Sequence, residues 1–87
     1  MKENCKIEIS SHSKEEDRYR GIVILLEGEY MAVPSGDYID LANKKIWIVT
    51  GLLISMSHTN NRRMIRLTCK DDIHEEPYKG MILEKID

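Results

Sequence analysis

The stretch Ile46-Trp47-Ile48-Val49-Thr50-Gly51-Leu52-Leu53-Ile54-Ser55-Met56-Ser57 belongs to the longest run of this chain that lacks a charged residue. It contains the only tryptophan, and it is rich in β-branched side chains, which favour strands. The stretch therefore predicts two buried β-strands, or one long bent strand, interrupted at Gly51. It indicates a small domain with a β-strand core, and it carries no chemical signature of its own.

Alternating apolar and polar residues predict further strands on both sides of this stretch. Cys5–Ser10 and Met64–Lys70 alternate with a period of two, which is typical of half-buried strands. Ile22–Leu26 is apolar on both faces and suits a central strand. The predicted core residues are Ile7, Ile9, Ile22, Ile24, Leu26, Ile46, Ile48, Ile65, Leu67, Leu83 and Ile86.

Turn-forming residues divide these strands. Pro34–Asp37 and Ser57–Asn61 are rich in residues that favour turns or bond their own backbone. Ser13 followed by Glu16 fits a capping box, so the polar segment Ser11–Asp17 predicts either one helical turn or a plain loop.

Six to seven short strands and at most one short helix predict an all-β fold, a small antiparallel barrel or sandwich. The alternative is an α+β fold in which Ser13–Arg20 or Asp71–Tyr78 is helical. With 87 residues, the chain is long enough for one modest core, so residues 1–87 are predicted to be a single domain.

The charge of the chain argues against some partners. The net charge is −2 and the pI about 5.9, so no attraction of the whole protein to nucleic acid or to an anionic membrane is expected. Met1–Lys6 is not followed by the apolar region of a signal peptide, and no apolar run reaches the roughly 20 residues of a membrane helix. We therefore expect a cytoplasmic protein with no membrane partner.

The sequence contains no catalytic or metal-binding motif. Cys5 and Cys69 occupy inward positions of predicted strands, where reduced cysteines pack as small apolar residues. Cys69 and His74 lack the second ligand pair that a zinc site requires. Neither a phosphate-binding loop nor a nucleophile elbow is present. We therefore predict no enzymatic activity, no metal and no cofactor.

Two charged groups are candidate partner-binding residues. The basic group lies on the outward face of one strand and comprises Arg62, Arg66 and Lys70. The acidic group follows at once and comprises Asp71, Asp72, Glu75 and Glu76. Basic residues suit single-stranded nucleic acid when aromatic rings are exposed for stacking, for which the candidates are Tyr19, Tyr30, Tyr38 and Trp47. Acidic loops on a rigid scaffold suit a basic protein partner, although both groups also fit a merely solvated surface.

By elimination, the sequence predicts a non-catalytic binding or regulatory protein that acts by contact with a protein partner. An inhibitor or adaptor from a bacterium, phage or mobile element is the most concrete form of this hypothesis. The alternative is a single-stranded nucleic-acid-binding small barrel that uses Arg62, Arg66 and Lys70. A homodimer is expected if the sheet is open, because the second apolar face of Ile22–Leu26 then needs cover from another chain.

Overall fold

The computed structural model describes residues 4–28, 32–52 and 61–86. Within these ranges the protein is a closed antiparallel barrel without helices. Its strands are β1 (Lys6–Glu15), β2 (Arg18–Glu27), β3 (Gly36–Asp40), β4 (Ile46–Leu52), β5 (Arg62–Cys69) and β6 (Ile82–Lys85). The prediction of a small all-β barrel or sandwich is confirmed, with the barrel as the form observed, and the α+β alternative is wrong. None of the residues described forms a helix of the length and apolarity that crossing a membrane would need.

The barrel closes in the order β1-β2-β5-β4-β3-β6, with β6 paired back to β1. Strands β3 to β6 form a Greek key, because β6 returns to lie beside β3 after two hairpin-type pairings. Each described strand thus has two hydrogen-bonded neighbours, and closure leaves no free edge among them. The expectation of a homodimer depends on an open sheet, whose second apolar face would need cover from another chain. The described sheet is closed, so this reason for a homodimer does not apply. Light scattering tests the oligomeric state directly.

The core fills the interior of the barrel. Trp47 and Tyr38 lie opposite each other on β4 and β3 and are the largest fully buried side chains. The predicted core residues that are indeed buried are Ile7, Ile9, Ile65, Leu67 and Leu83. Cys5 and Cys69 are also buried, and both are free thiols, as their inward positions predicted.

The predicted register of β2 and β4 is wrong by one residue. The apolar residues of these strands that face the core are Tyr19, Val23, Leu25, Trp47 and Val49. The predicted core residues that are instead half-buried or exposed are Ile22, Ile24, Leu26, Ile46, Ile48 and Ile86. When both faces of a strand are apolar, its own pattern cannot select the inner face, and pairing with the neighbouring strands selects it.

The segment Ser11–Asp17 forms the end of β1 and the tight turn into β2. The prediction of a loop or a helical turn is therefore wrong for most of it, since Ser13 pairs with Arg20 in the β1–β2 ladder. Glu16 adopts a left-handed conformation, with φ 55°, where the chain reverses direction.

A β-bulge in β1 changes which residues of this strand face outward. Ile9 pairs with Val23, whereas Ser11 pairs with Ile22, so one extra residue is inserted between them. Because Val23 faces the core and Ile22 faces outward, the odd-numbered residues of β1 turn from the inner to the outer face after Ile9. As a result, Glu15 lies on the outside of the barrel.

Some sequence predictions lie outside the described residues. They concern Tyr30 as a stacking residue, the strand through Met31, the turn at Ser57–Asn61, and the second half of the uncharged stretch. Within the described part of that stretch, β4 continues through Gly51 to Leu52 without interruption.

Candidate functional site

The outer face of β2 and β5 carries arginines around an apolar centre. Ile22 pairs with Met64, and Met64 pairs with Leu52, so aliphatic side chains form a row across three neighbouring strands. All three side chains are half-buried. We call this surface the arginine face, and its charged members are Arg18, Arg20, Arg62 and Arg66.

Glu15 links two of these arginines. Arg20 Nη2 lies 2.7 Å from Glu15 Oε2, and Arg66 Nε donates a hydrogen bond of 2.9 Å to Glu15 Oε1. Arg20 and Arg66 are direct cross-strand partners, and like charges in such positions repel each other. The shared carboxylate offsets this repulsion and neutralises one of the two positive charges. The bulge in β1 makes the arrangement possible because it turns Glu15 outward.

The predicted basic group does not form one free basic strip. Arg62, Arg66 and Lys70 follow one another at four-residue intervals, about 13 Å apart along an extended chain. Arg66 is paired with Glu15, and Lys70 Nζ donates a hydrogen bond of 2.8 Å to Asp37 Oδ2. The hydrogen bond to Asp37 and the charge of that carboxylate raise the pKa of Lys70 above its usual value. Two of the three cations are therefore neutralised within the molecule.

Three of the four predicted stacking aromatics are not available, and the fourth, Tyr30, lies outside the described residues. Tyr19, Tyr38 and Trp47 are all buried because they occupy inward positions of β2, β3 and β4. Among the described residues, the exposed aromatic side chain is Tyr78, of which 41% is accessible. Tyr78 lies outside the strands, so the alternation pattern did not single it out.

The segment Lys70–Gly80, here called the closing segment, connects β5 to β6 and carries the predicted acidic group. Its turn is built on Asp72, whose Oδ1 accepts from the His74 N–H at 2.9 Å and whose carbonyl oxygen accepts from the Glu75 N–H at 3.0 Å. Ile73 stands at the corner of this turn with 57% of its surface exposed, the highest value among the exposed large apolar residues described.

Contacts with the barrel fix the closing segment on both sides of the exposed Ile73. After the turn, Glu75 Oε1 lies 2.7 Å from Lys45 Nζ in the β3–β4 connection, and this hydrogen bond raises the pKa of Lys45. Before it, Lys70 N–H donates to the Ile46 carbonyl at 2.8 Å. The remaining acidic side chains, Asp71, Asp72 and Glu76, are exposed. Glu75 and Asp72 thus shape the segment, whereas the side chains of Asp71 and Glu76 are exposed beside it.

A buried carboxylate holds the far end of the closing segment. Asp40 is fully buried, and its Oδ2 accepts a hydrogen bond of 2.8 Å from the Tyr78 hydroxyl. Its Oδ1 accepts from the Ala42 N–H at 2.8 Å. Pro77, which precedes Tyr78 in the sequence, is also buried. Sequence analysis missed Asp40, because an aspartate at the end of a short strand gives no sign of being buried.

This contact predicts a stability change at alkaline pH. Desolvation of the part-buried hydroxyl group, then the hydrogen bond to Asp40 and the charge of that carboxylate, raises the pKa of Tyr78 to about 12, although much of the ring is exposed. In the unfolded chain a tyrosine titrates near pH 10. Because the folded pKa is the higher one, the stability that Tyr78 contributes is fully present below about pH 10 and is lost as the pH rises through about 12.

The measurement compares the free energy of unfolding of the wild type and Tyr78→Phe from neutral pH to about pH 12. We expect the difference between them to stay constant up to about pH 10 and to shrink above it. The comparison with Tyr78→Phe cancels the titration of the other tyrosines. Parallel profiles over the whole range would contradict the assignment.

Comparison of this chain with protein-family models, with curated proteins and with solved structures finds no match. The described residues hold no group of three or more His, Cys, Asp or Glu side chains close enough to share a metal ion. The arginine face and the closing segment are therefore interpreted from their own geometry and charge.

Proposed function

We propose that the protein is a non-catalytic binding protein that contacts a protein partner through its closing segment. The observation that supports this is the exposed Ile73 at the corner of a turn that is held before it by the Lys70–Ile46 backbone hydrogen bond and after it by the Glu75–Lys45 ion pair. An apolar side chain that is exposed and held in place can enter a partner's pocket with little loss of conformational freedom. Nothing in the packing of the barrel requires an isoleucine there.

The charges around Ile73 suggest what kind of partner fits. Asp71, Asp72 and Glu76 are exposed carboxylates on the same short segment, and Tyr78 adds a second partly exposed apolar surface. A partner with an apolar pocket and a basic rim complements this surface, and opposite charges would speed the encounter. An inhibitor or adaptor in the cytoplasm of a bacterium, or encoded by a phage or mobile element, is the form we propose.

The alternative, binding of single-stranded nucleic acid, has less support. Arg66 and Lys70 are already paired with Glu15 and Asp37, and the exposed Tyr78 lies on an acidic segment. Stacking surfaces and phosphate-binding cations normally occur together on such barrels. The pairing of these cations and the acidic residues around Tyr78 therefore favour the protein partner.

Substitution of Ile73 tests the proposal. We expect Ile73→Ser to lower affinity for the partner by at least about tenfold, as for the central apolar residue of an interface. Its stability should change by less than about 0.5 kcal/mol because the side chain is exposed. The control is Leu26→Ser, an aliphatic residue at the end of β2 that is 45% exposed and lies outside the closing segment.

The measurement is affinity capture with tagged wild type, Ile73→Ser and Leu26→Ser, followed by calorimetry with the partner identified. A protein retained by the wild type and Leu26→Ser but lost with Ile73→Ser is the expected result. Equal retention by all three variants would reject the closing segment as the contact surface. Two results together would support the alternative. The protein would bind oligonucleotides and lose this binding in Arg66→Ala, and a plot of log K against log[salt] would have a slope of about −0.7 for each neutralised phosphate.

A further inference from the structure

The positive charge of the arginine face exceeds the negative charge that Glu15 contributes to it. Glu15 serves both Arg20 and Arg66, so two guanidinium groups share one carboxylate. Arg18 is exposed, and its side chain makes no ion pair or hydrogen bond with the residues described. Arg20 and Arg66 lie directly opposite each other, and Glu15 neutralises only one of their two charges, so some repulsion remains and lowers stability. The barrel does not require this pairing in order to fold.

One guanidinium nitrogen in this cluster lacks an acceptor. Arg20 Nε is buried, and no hydrogen-bond partner is within reach of it. Buried donors in folded proteins are nearly always satisfied, so Arg20 Nε is available to donate to a water, an ion or a ligand. Arg18 and Arg66 line a cavity whose wall also contains Glu15, the carboxylate that lies 2.7 Å from Arg20 Nη2.

A surface cavity of about 300 Å³ lies between Glu15, Glu16, Arg18 and Arg66. A second hollow of about 160 Å³ lies further along β2, where Arg20 forms part of the wall. Side chains that line this second hollow are Ser11, His12, Ser13, Arg20, Ile22 and Met64. The two cavities therefore combine guanidinium donors, hydroxyl and imidazole groups, and an aliphatic wall.

We propose that this site binds the phosphate group of a small phosphorylated ligand, whose organic part lies against Ile22 and Met64. Guanidinium groups donate paired hydrogen bonds to phosphate oxygens, and three guanidinium groups from two strands match the several oxygens of a phosphate better than the two of a carboxylate. Ser11 and Ser13 supply further donors. The presence of Glu15 and Glu16 limits the positive potential to a small area, which suits a single phosphate rather than a nucleic-acid strand.

Glu15 acts in this proposal as an internal competitor for the arginines. Its carboxylate accepts from Arg20 and Arg66 at 2.7 and 2.9 Å and so takes donors that a phosphate would use. Glu15→Gln removes the negative charge and keeps the size of the side chain. We expect this variant to bind phosphate at least about threefold more tightly, because a nearby like charge is removed.

The test is a titration of the full chain with inorganic phosphate and with phenyl phosphate at low ionic strength, followed by calorimetry or NMR. We expect saturable binding, tighter for phenyl phosphate because of the aliphatic wall. Arg18→Ala should weaken binding at least about tenfold, since a charge-assisted bidentate contact is lost. Arg18 makes no contact that the fold needs, so this variant should unfold like the wild type.

Lys6→Ala is the matched control, because it removes the same charge from the opposite end of β1, where Lys6 lies near Glu27 and Glu84. It should change phosphate affinity by less than about twofold, since Lys6 lies at the other end of the strand and its charge is offset by two nearby carboxylates. The proposal is overturned if no saturable binding is detected at millimolar phosphate, or if Lys6→Ala and Arg18→Ala weaken binding equally.

A longer ligand is distinguished by the salt dependence. Tight binding of a single-stranded oligonucleotide with a slope that corresponds to more than about two phosphates would overturn the small-ligand proposal in favour of a nucleic-acid surface. The phosphate site and the proposed protein partner can be tested separately. Ile73→Ser should leave phosphate binding unchanged, and Arg18→Ala should leave capture of the protein partner unchanged.

Discussion

Gly51→Ala is expected to cause the largest loss of stability in this chain, at least about 3 kcal/mol. A Cβ atom at this position would overlap the carbonyl oxygen of Val33 and would lie 2.8 Å from its carbonyl carbon. Both are backbone atoms, so no side-chain rotation relieves the overlap. The same close approach lets the Gly51 N–H donate to Ser35 Oγ at 3.1 Å, which holds the chain before β3 against β4.

Gly21→Ala is the matched control for this substitution. The nearest atoms to a Cβ at Gly21 would be 3.5 Å away, an ordinary contact distance. We expect a change within about 1 kcal/mol, and a small gain is reasonable because alanine restricts the unfolded chain. Urea unfolding followed by the fluorescence of the buried Trp47 measures both variants. Equal unfolding free energies for the two variants would contradict the close approach at Gly51.

Asp40→Ala is expected to have the second largest effect, about 2–4 kcal/mol. The substitution leaves the Tyr78 hydroxyl and the Ala42 N–H without their acceptor. Both hydrogen bonds are part-buried, so water replaces the lost acceptor only in part, and removal of the fully buried carboxylate also leaves a void. The matched control is Asp37→Ala, which removes the same charge from an exposed pair with Lys70 and should cost less than about 1 kcal/mol.

A double-mutant cycle of Asp40→Ala with Tyr78→Phe isolates their interaction. We expect a coupling energy of about 1–2 kcal/mol, since the two groups share one hydrogen bond. The closing segment depends on this contact, so Asp40→Ala should also weaken capture of the partner while Asp37→Ala leaves it intact. Similar losses of stability for Asp40→Ala and Asp37→Ala would show that the buried carboxylate has no special role.

The strands differ in how well their local sequence pattern predicts which face is buried. Ile7, Ile9, Ile65 and Leu67 face the core as predicted, because polar neighbours at alternate positions mark the outer face of β1 and β5. In β2 and β4 the neighbours are apolar too, so the pattern leaves the choice of face open, and the predicted register was wrong. The bulge in β1 was likewise invisible, since a single inserted residue changes no composition.

The sequence by itself determined that this protein is a small all-β domain with two buried thiols, because strand propensity and period-two alternation are local properties. Only the tertiary structure decided which charged residues meet. Glu15 and Arg66 are 51 residues apart in the chain, and Asp40 and Tyr78 are 38 apart. Closure of the barrel and the pairing of β2 with β5 bring such residues together, and neither spacing nor composition encodes a contact across strands that are distant in sequence.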